Sequence, residues 1–333
     1  MVVYNRIEVD YDIAVRVAKS IISAMHQKIP PFNKDLEIFP DAIIPEGVEK
    51  GSEEHARYLF YSVSLDSMMQ AEEVYRKMRK ISSKSEAFKN LEKLDRNGLG
   101  RLLTPYFGES ILFEELWMTN PIKTLFENSR RLKEECLGNP LELKRNTVMD
   151  TLENIARYRQ YGIGKAALLL KNFVKFGIWN FHETQVPIKV DRHVMRISLG
   201  CGIINPEKYS QPIKGKLSKA LQGAKEKMIR FGYFTEEDFK KGRVRVVRRD
   251  KLVTPLTKIN LEVSRSQGIS GIELNDGYWA IGAYSCRKNN AQYCRLSCPV
   301  QCNTRMPSDN NAAYFFIDVD KRKGLEQMTL FGF

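Results

Sequence analysis

The chain has 333 residues, 43% of them hydrophobic and 28% charged, proportions of a globular protein with material for one large core or two modest ones. Lys and Arg number 53 against 40 Asp and Glu, a net charge of +13, so the surface favours a polyanion bound with salt-sensitive affinity. No stretch approaches about 18 consecutive apolar residues and the opening MVVYNRIEVDYD has no signal-peptide pattern, which argues against a membrane span or secretion and for a soluble, cytoplasmic protein.

Residues 11–27 set Ile13, Val15, Val17, Ile21, Ile22 and Met25 close to helical spacing and predict a packing helix. His26 has nothing near it in sequence to complete a site. Residues 29–51, with four prolines and two glycines, read as a long surface connection. Tyr58-Leu59-Phe60-Tyr61 opens a buried segment, and Asp66 or Ser67 can cap a helix running from Met68 to Ile81. Between Lys84 and Gly108 the chain is basic and broken by glycine; Arg96, Arg101 and Tyr106 suit a solvated loop or a reach into a DNA minor groove. Helices are expected near 110–118 and 121–137, the second ended by Gly138, followed by an approach helix over 140–160.

The chemistry-bearing stretch is 158–204. Gly162-Ile163-Gly164 interrupts two helix-period runs, which predicts two short helices joined by a hairpin, the second restarting over Lys165 to Phe176. Unsatisfied amides and the positive dipole end of that second helix would seat a phosphate oxygen without reading sequence. Val186-Pro187-Ile188-Lys189-Val190-Asp191-Arg192-His193-Val194-Met195-Arg196 follows. Asp191 precedes the apolar run Val194, Ile197 and Leu199, and so reads first as a helix N-cap.

Together the G-I-G hairpin and the V-D-R-H-V-M-R segment resemble the helix-hairpin-helix DNA glycosylase superfamily, closely over about 45 residues and loosely over about 100. The resemblance implies an all-α, two-lobed helical fold, with Gly162, Ile163, Gly164, Lys165, Arg192, His193 and Arg196 against DNA. It also implies a catalytic carboxylate at Asp191, facing the sugar of a nucleotide flipped from the stack. Cleaving an N-glycosidic bond builds positive charge on deoxyribose, which a nearby anion stabilises. Family members that also nick the strand use a lysine two positions past the second hairpin glycine, which here is Ala166. Lys165 lies one residue earlier, about 100° around the helix. Strictly read, the chain is a glycosylase without lyase activity; a one-residue shift in the hairpin brings Lys165 into play as the Schiff-base nucleophile. Trp179, His182 and Tyr161 are candidates for contacting the flipped base.

Beyond Asp191, Asn205-Pro206 marks a turn and residues 215–231 a helix ended by Gly232. The run from Lys240 to Lys251 carries seven cations in twelve residues, ambiguous between strand and helix, and suits phosphate tracking. Cys286, Cys294, Cys298 and Cys302 follow as C-x7-C-x3-C-x3-C, while Cys136 and Cys201 stand alone. Four thiols this close suggest a metal more than disulfides, and zinc and iron–sulfur both accept them. Family relatives carry a [4Fe–4S] cluster at this place with the same overall cysteine span but different internal spacing, so the resemblance implies [4Fe–4S], with zinc the alternative. Gln327-Met328-Thr329-Leu330-Phe331-Gly332-Phe333 resembles a peptide that binds the PCNA sliding clamp, with Gln327, Leu330, Phe331 and Phe333 as the docking residues.

These readings divide the chain into an N-terminal helical region contributing to the cluster-side lobe (1–135), a helix-hairpin-helix catalytic region (136–252), a four-cysteine metal segment (253–323) and a clamp-binding tail (324–333). The expected function is base-excision repair of a damaged or mispaired base in double-stranded DNA by a monomeric archaeal enzyme. A clamp-tethered DNA-binding protein without chemistry is the alternative, and a zinc-dependent RNA-processing factor a third.

Overall fold

A computed structural model describes residues 1–4, 6–33, 40–66, 71–114, 120–213, 218–286, 298–300, 302 and 313–318. The chain folds as two units, one made of residues 1–36 with 190–333 and the other of residues 37–189. The bounds differ from those expected from the sequence: of the N-terminal region only residues 1–36 join the C-terminal part of the chain, and the boundary after Lys189 falls inside the expected catalytic region. No described helix is long and apolar enough to cross a membrane.

The first unit opens on an antiparallel pair, β1 (Val2–Tyr4) with β2 (Ile7–Val9). Asp10 then caps α1 (Tyr11–His26) by accepting from the Ile13 amide at 2.9 Å. The apolar spacing of α1 buries Ala14, Val17, Ala18, Ile21 and Ala24 along one stripe.

The second unit is built on six α-helices among its described residues. They are α2 (Glu53–Leu65), α3 (Ala71–Lys84), α4 (Arg96–Phe107), α5 (Pro121–Cys136), α6 (Val148–Ala156) and α7 (Ile163–Lys175). Ser52, Asp95, Asn120 and Thr147 cap four of them through their side-chain oxygens. α2 is the axis: from Tyr58 to Leu65 every side chain is buried, and α3, α5 and α7 pack against it. The basic stretch expected as a loop after Lys84 is instead a 3-10 segment (Glu86–Lys93) leading into α4, because Leu99, Leu103 and Phe107 give α4 a buried side. Lys171 meets Asp41 at 3.0 Å as a buried ion pair inside this unit.

The chain returns to the first unit through α8 (Arg192–Cys201), α9 (Pro206–Tyr209) and β3 (Gln211–Pro212). It continues through α10 (Lys219–Arg230), α11 (Glu236–Lys240), β4 (Val244–Arg248), α12 (Val253–Gln267) and α13 (Gly271–Ala280). α13 runs on into a π-helical turn (Ile281–Ser285), and β5 (Tyr314–Asp318) ends the described chain. α1 packs on α12 and α13. The approach of α13 is so close that a Cβ on Gly277 would stand 2.3 Å from Ile21 Cγ2.

The architecture is mostly helical, as the periodicity predicts, with one sheet the reading left undecided. β4 is the centre of an antiparallel order β3-β4-β5, with Val246 opposite Phe316. β-Branched Val244, Val246 and Val247 resolve the ambiguous cationic run as a strand. Val244 and Val246 join Met228, Phe234, Phe239 and Phe316 in a local core.

Candidate functional site

The hairpin forms as the glycines suggest, but by a different local means. α6 packs on α7, and the left-handed residue of the turn between them is Gln160, at φ 63°. Gly162 has an extended backbone, φ −117° and ψ 179°, which any residue adopts, and a Cβ there would meet nothing within 4 Å. Gly162 is exposed and is the N-cap of α7 without a side-chain cap, so the first amides of α7, at Ile163, Gly164 and Lys165, begin at the surface of this unit.

Ala166 is fully buried, so the strict family position offers no amine. The Lys165 side chain turns inward. Its Nζ donates to the Ser64 carbonyl at 2.8 Å, near the C-terminal end of α2. Burial pushes this amine down to about 8, with Asp66 working upward and Lys189 downward. Asp66, expected as a helix start, is instead the residue that ends α2, and its carboxylate accepts Lys189 Nζ at 2.6 Å. Ser64, Asp66 and Lys189 thus join Lys165 in one cluster. Sequence reasoning assigned no role to Lys189, although it lies within the quoted V-P-I-K-V-D-R-H segment.

Two residues past Lys189, in the other unit, Asp191 is the N-cap that its position predicts. Its Oδ1 accepts from the His193 amide at 2.8 Å and the Val194 amide at 3.2 Å. Backbone amides therefore set the direction of this carboxylate. Arg192 remains partly exposed and donates to His193 Nε2 at 3.4 Å. His193 is a correction to the expected DNA-contacting set: it is 5% exposed and packs on the π-helical turn, where a Cβ on Gly282 would stand 2.3 Å from His193 Cβ. A ring so enclosed supports α8 instead of reaching a duplex. Arg196, one turn on, is partly buried, and desolvation lowers its guanidinium while the Cys286 thiol acts in the other direction.

The candidate base contacts fall into cores and caps. Trp179 packs edge-on against Phe173 at 4.5 Å between ring centres and donates to the Leu141 carbonyl. Tyr161 donates to the Phe60 carbonyl from a buried position. His182 caps a 3-10 turn through Thr184. The cationic strand is likewise committed inside its own unit: Arg243 to Asp238, Arg245 to the Ser210 carbonyl and Arg248 to Asp250. Arg96 and Arg101 line a cleft of about 710 Å³ together with Lys123 and Asn120.

Of the four clustered cysteines, Cys294 lies outside the described residues, as do Gln327, Leu330, Phe331 and Phe333 of the tail. Among the described residues, no three His, Cys, Asp or Glu side chains converge as a metal would require. The contact present is between Cys302 and Cys201, their sulfurs 3.4 Å apart, so Cys201 at the end of α8 is no longer an isolated thiol.

No protein-family model matches the chain, and no characterised protein matches its sequence.

Proposed function

We propose that the chain is a DNA N-glycosylase of the helix-hairpin-helix kind, removing a damaged or mispaired base from duplex DNA and nicking the strand through Lys165. The observation that carries this reading is the Lys165 amine, inward at the start of the hairpin's second helix and lowered to about 8. About a tenth of such amines are neutral near pH 7, against well under a thousandth for an ordinary lysine. Only the neutral form adds to a sugar carbon.

In the proposed reaction the open backbone at Gly162 and the leading amides of α7 receive a phosphate of the strand. Asp191, its direction fixed by two amides, stabilises the positive charge that develops on deoxyribose. The Lys165 amine forms a bond to C1′ as the bond from C1′ to the base breaks, and the departing base takes up a proton. Opening of the sugar, with O4′ taking up a proton, then yields the protonated imine; loss of a C2′ proton to water forms the C2′–C3′ double bond as the C3′–O bond breaks and the 3′ phosphate leaves.

Cys286, Cys294, Cys298 and Cys302 supply thiolates for a [4Fe–4S] cluster or zinc, in a structural role, with Cys201 as a fifth thiol. No step of the chemistry runs through that group. The tail residues Gln327, Leu330, Phe331 and Phe333 would tether the enzyme to the PCNA clamp.

A panel of duplexes, each with one altered base, tests the reading with and without alkali and borohydride. The expected result is strand cleavage without alkali and a borohydride-trapped adduct lost in Lys165→Gln. Cleavage only after alkali would remove the lyase role and leave base hydrolysis; no cleavage on any duplex would leave a DNA-binding protein.

A further inference from the structure

The C-terminal end of α2 brings together groups a hundred residues apart in sequence. Its Ser64 carbonyl accepts Lys165 Nζ at 2.8 Å, and Asp66 accepts Lys189 Nζ at 2.6 Å. Only 6% of the Asp66 side chain is exposed, against 25% of Lys189. A carboxylate so enclosed has to be neutralised, by a proton or by a cation. Two lysines act on it electrostatically, and the helix end adds its own negative field. A lysine that takes the carboxylate is held as an ammonium, with no lone pair for chemistry; a lysine that lies beside an already satisfied pair is repelled by its neighbour's charge.

We infer that Lys189 is a positioning residue for Lys165: by taking the Asp66 carboxylate, it leaves the Lys165 amine on a backbone carbonyl and keeps that amine available as a nucleophile. The inference rests on the Schiff-base role proposed above. A carbonyl accepts a hydrogen bond from a neutral amine as readily as from an ammonium, so losing a proton breaks nothing at Ser64. Around the cluster, the Tyr75 phenol of α3 and the Tyr161 phenol ahead of α7 act on or feel Asp66, and burial pushes both well above the ordinary range. Both therefore stay neutral, while Asp66 and Lys189 act on Lys165 in opposite directions.

The amine is titrated directly in the full-length protein, without DNA, by trace acylation with acetic anhydride and mass spectrometry of the Lys165 peptide. Lys189→Gln should move the midpoint of Lys165 reactivity up by about one pH unit or more, Asp66→Asn should move it down, and Lys189→Arg should restore the wild-type midpoint. In parallel, borohydride trapping on an abasic duplex near pH 7 should fall about tenfold in Lys189→Gln and recover above about pH 9. Midpoints unmoved in the folded variants overturn the inference. Should Lys189→Gln fail to fold, the opposite shift expected of Asp66→Asn decides the matter. Shifted midpoints with no adduct even in the wild type would support the pair as the control on this amine and overturn only the lyase reading; an adduct with unmoved midpoints would do the reverse.

Discussion

A lysine that releases its proton near pH 8 burdens the fold that holds it. Lys165 falls from 10.5 in an ordinary setting to about 8, so the unfolded chain binds the proton more tightly than the folded one. The resulting cost, about 3 kcal/mol, is complete below pH 8 and is relieved as pH climbs from 8 towards 10.5. Lys165→Met forfeits the Ser64 hydrogen bond but removes the buried charge. It should stabilise the protein by about 1–2 kcal/mol near pH 7, with the gain shrinking towards pH 10, as urea unfolding at the two pH values would show. The same variant should lose all borohydride adduct. Asp191→Asn preserves the volume of the side chain and an oxygen for capping, while removing the charge. Base release should fall about 10²- to 10³-fold with duplex affinity little changed, measured by single-turnover cleavage and by anisotropy. Equal loss of binding and turnover would assign Asp191 to the helix cap alone.

At the scale of elements, two glycines separate packing from contact. Gly282→Ala places a Cβ 2.3 Å from His193 Cβ, so α8 and the π-helical turn must move apart. The cost should be about 1–3 kcal/mol in thermal unfolding. Gly162→Ala meets open space at an ordinary backbone conformation, and its stability should change by less than about 0.5 kcal/mol. If the α7 amides receive a phosphate as proposed, duplex affinity should nevertheless drop, because a methyl group there would stand in its path. α2 carries an acid switch of its own. Burial lowers His55 to about 4, so it stays neutral in the fold while the unfolded chain protonates near 6.5. Stability should therefore decline by about 3 kcal/mol as pH falls from 6.5 to 4, and a His55→Gln variant should flatten that slope in pH-dependent unfolding.

The helices whose signals are local were legible in the sequence. α1 announced itself by its apolar spacing, and α8 by the capping Asp191 ahead of Val194 and Ile197. The hairpin was legible too, although the strained residue proved to be Gln160. What stayed hidden depends on partners far along the chain. The inward turn of Lys165 was not legible because its partner Ser64 lies 101 residues earlier. His193 looked available because Gly282 is distant in sequence, and Cys201 looked solitary for the same reason with Cys302. The arginines in and just before β4 resembled a phosphate track because composition does not show that Asp238, Ser210 and Asp250 already receive Arg243, Arg245 and Arg248.

For the whole molecule, the net charge of +13 sets an expectation that is independent of any residue's role. Duplex affinity should fall linearly with salt on logarithmic axes, with a slope of about −0.9 for each phosphate neutralised. A salt-insensitive affinity would count against nucleic acid as partner. Metal analysis of purified protein should likewise find iron with visible absorption or zinc without it, and Cys201→Ser should weaken retention of either.

The route of the backbone through the two units has a consequence for biosynthesis. α1 buries its apolar stripe against α12 and α13, which are translated about 230 residues later. At about 5–20 residues per second the ribosome needs on the order of 10–50 s to supply that cover. Residues 37–189 form a continuous stretch that is complete well before then. Nascent α1 is therefore the segment for which a holding chaperone would be recruited, and slowing translation beyond codon 190 should lengthen its exposure while sparing the middle of the chain.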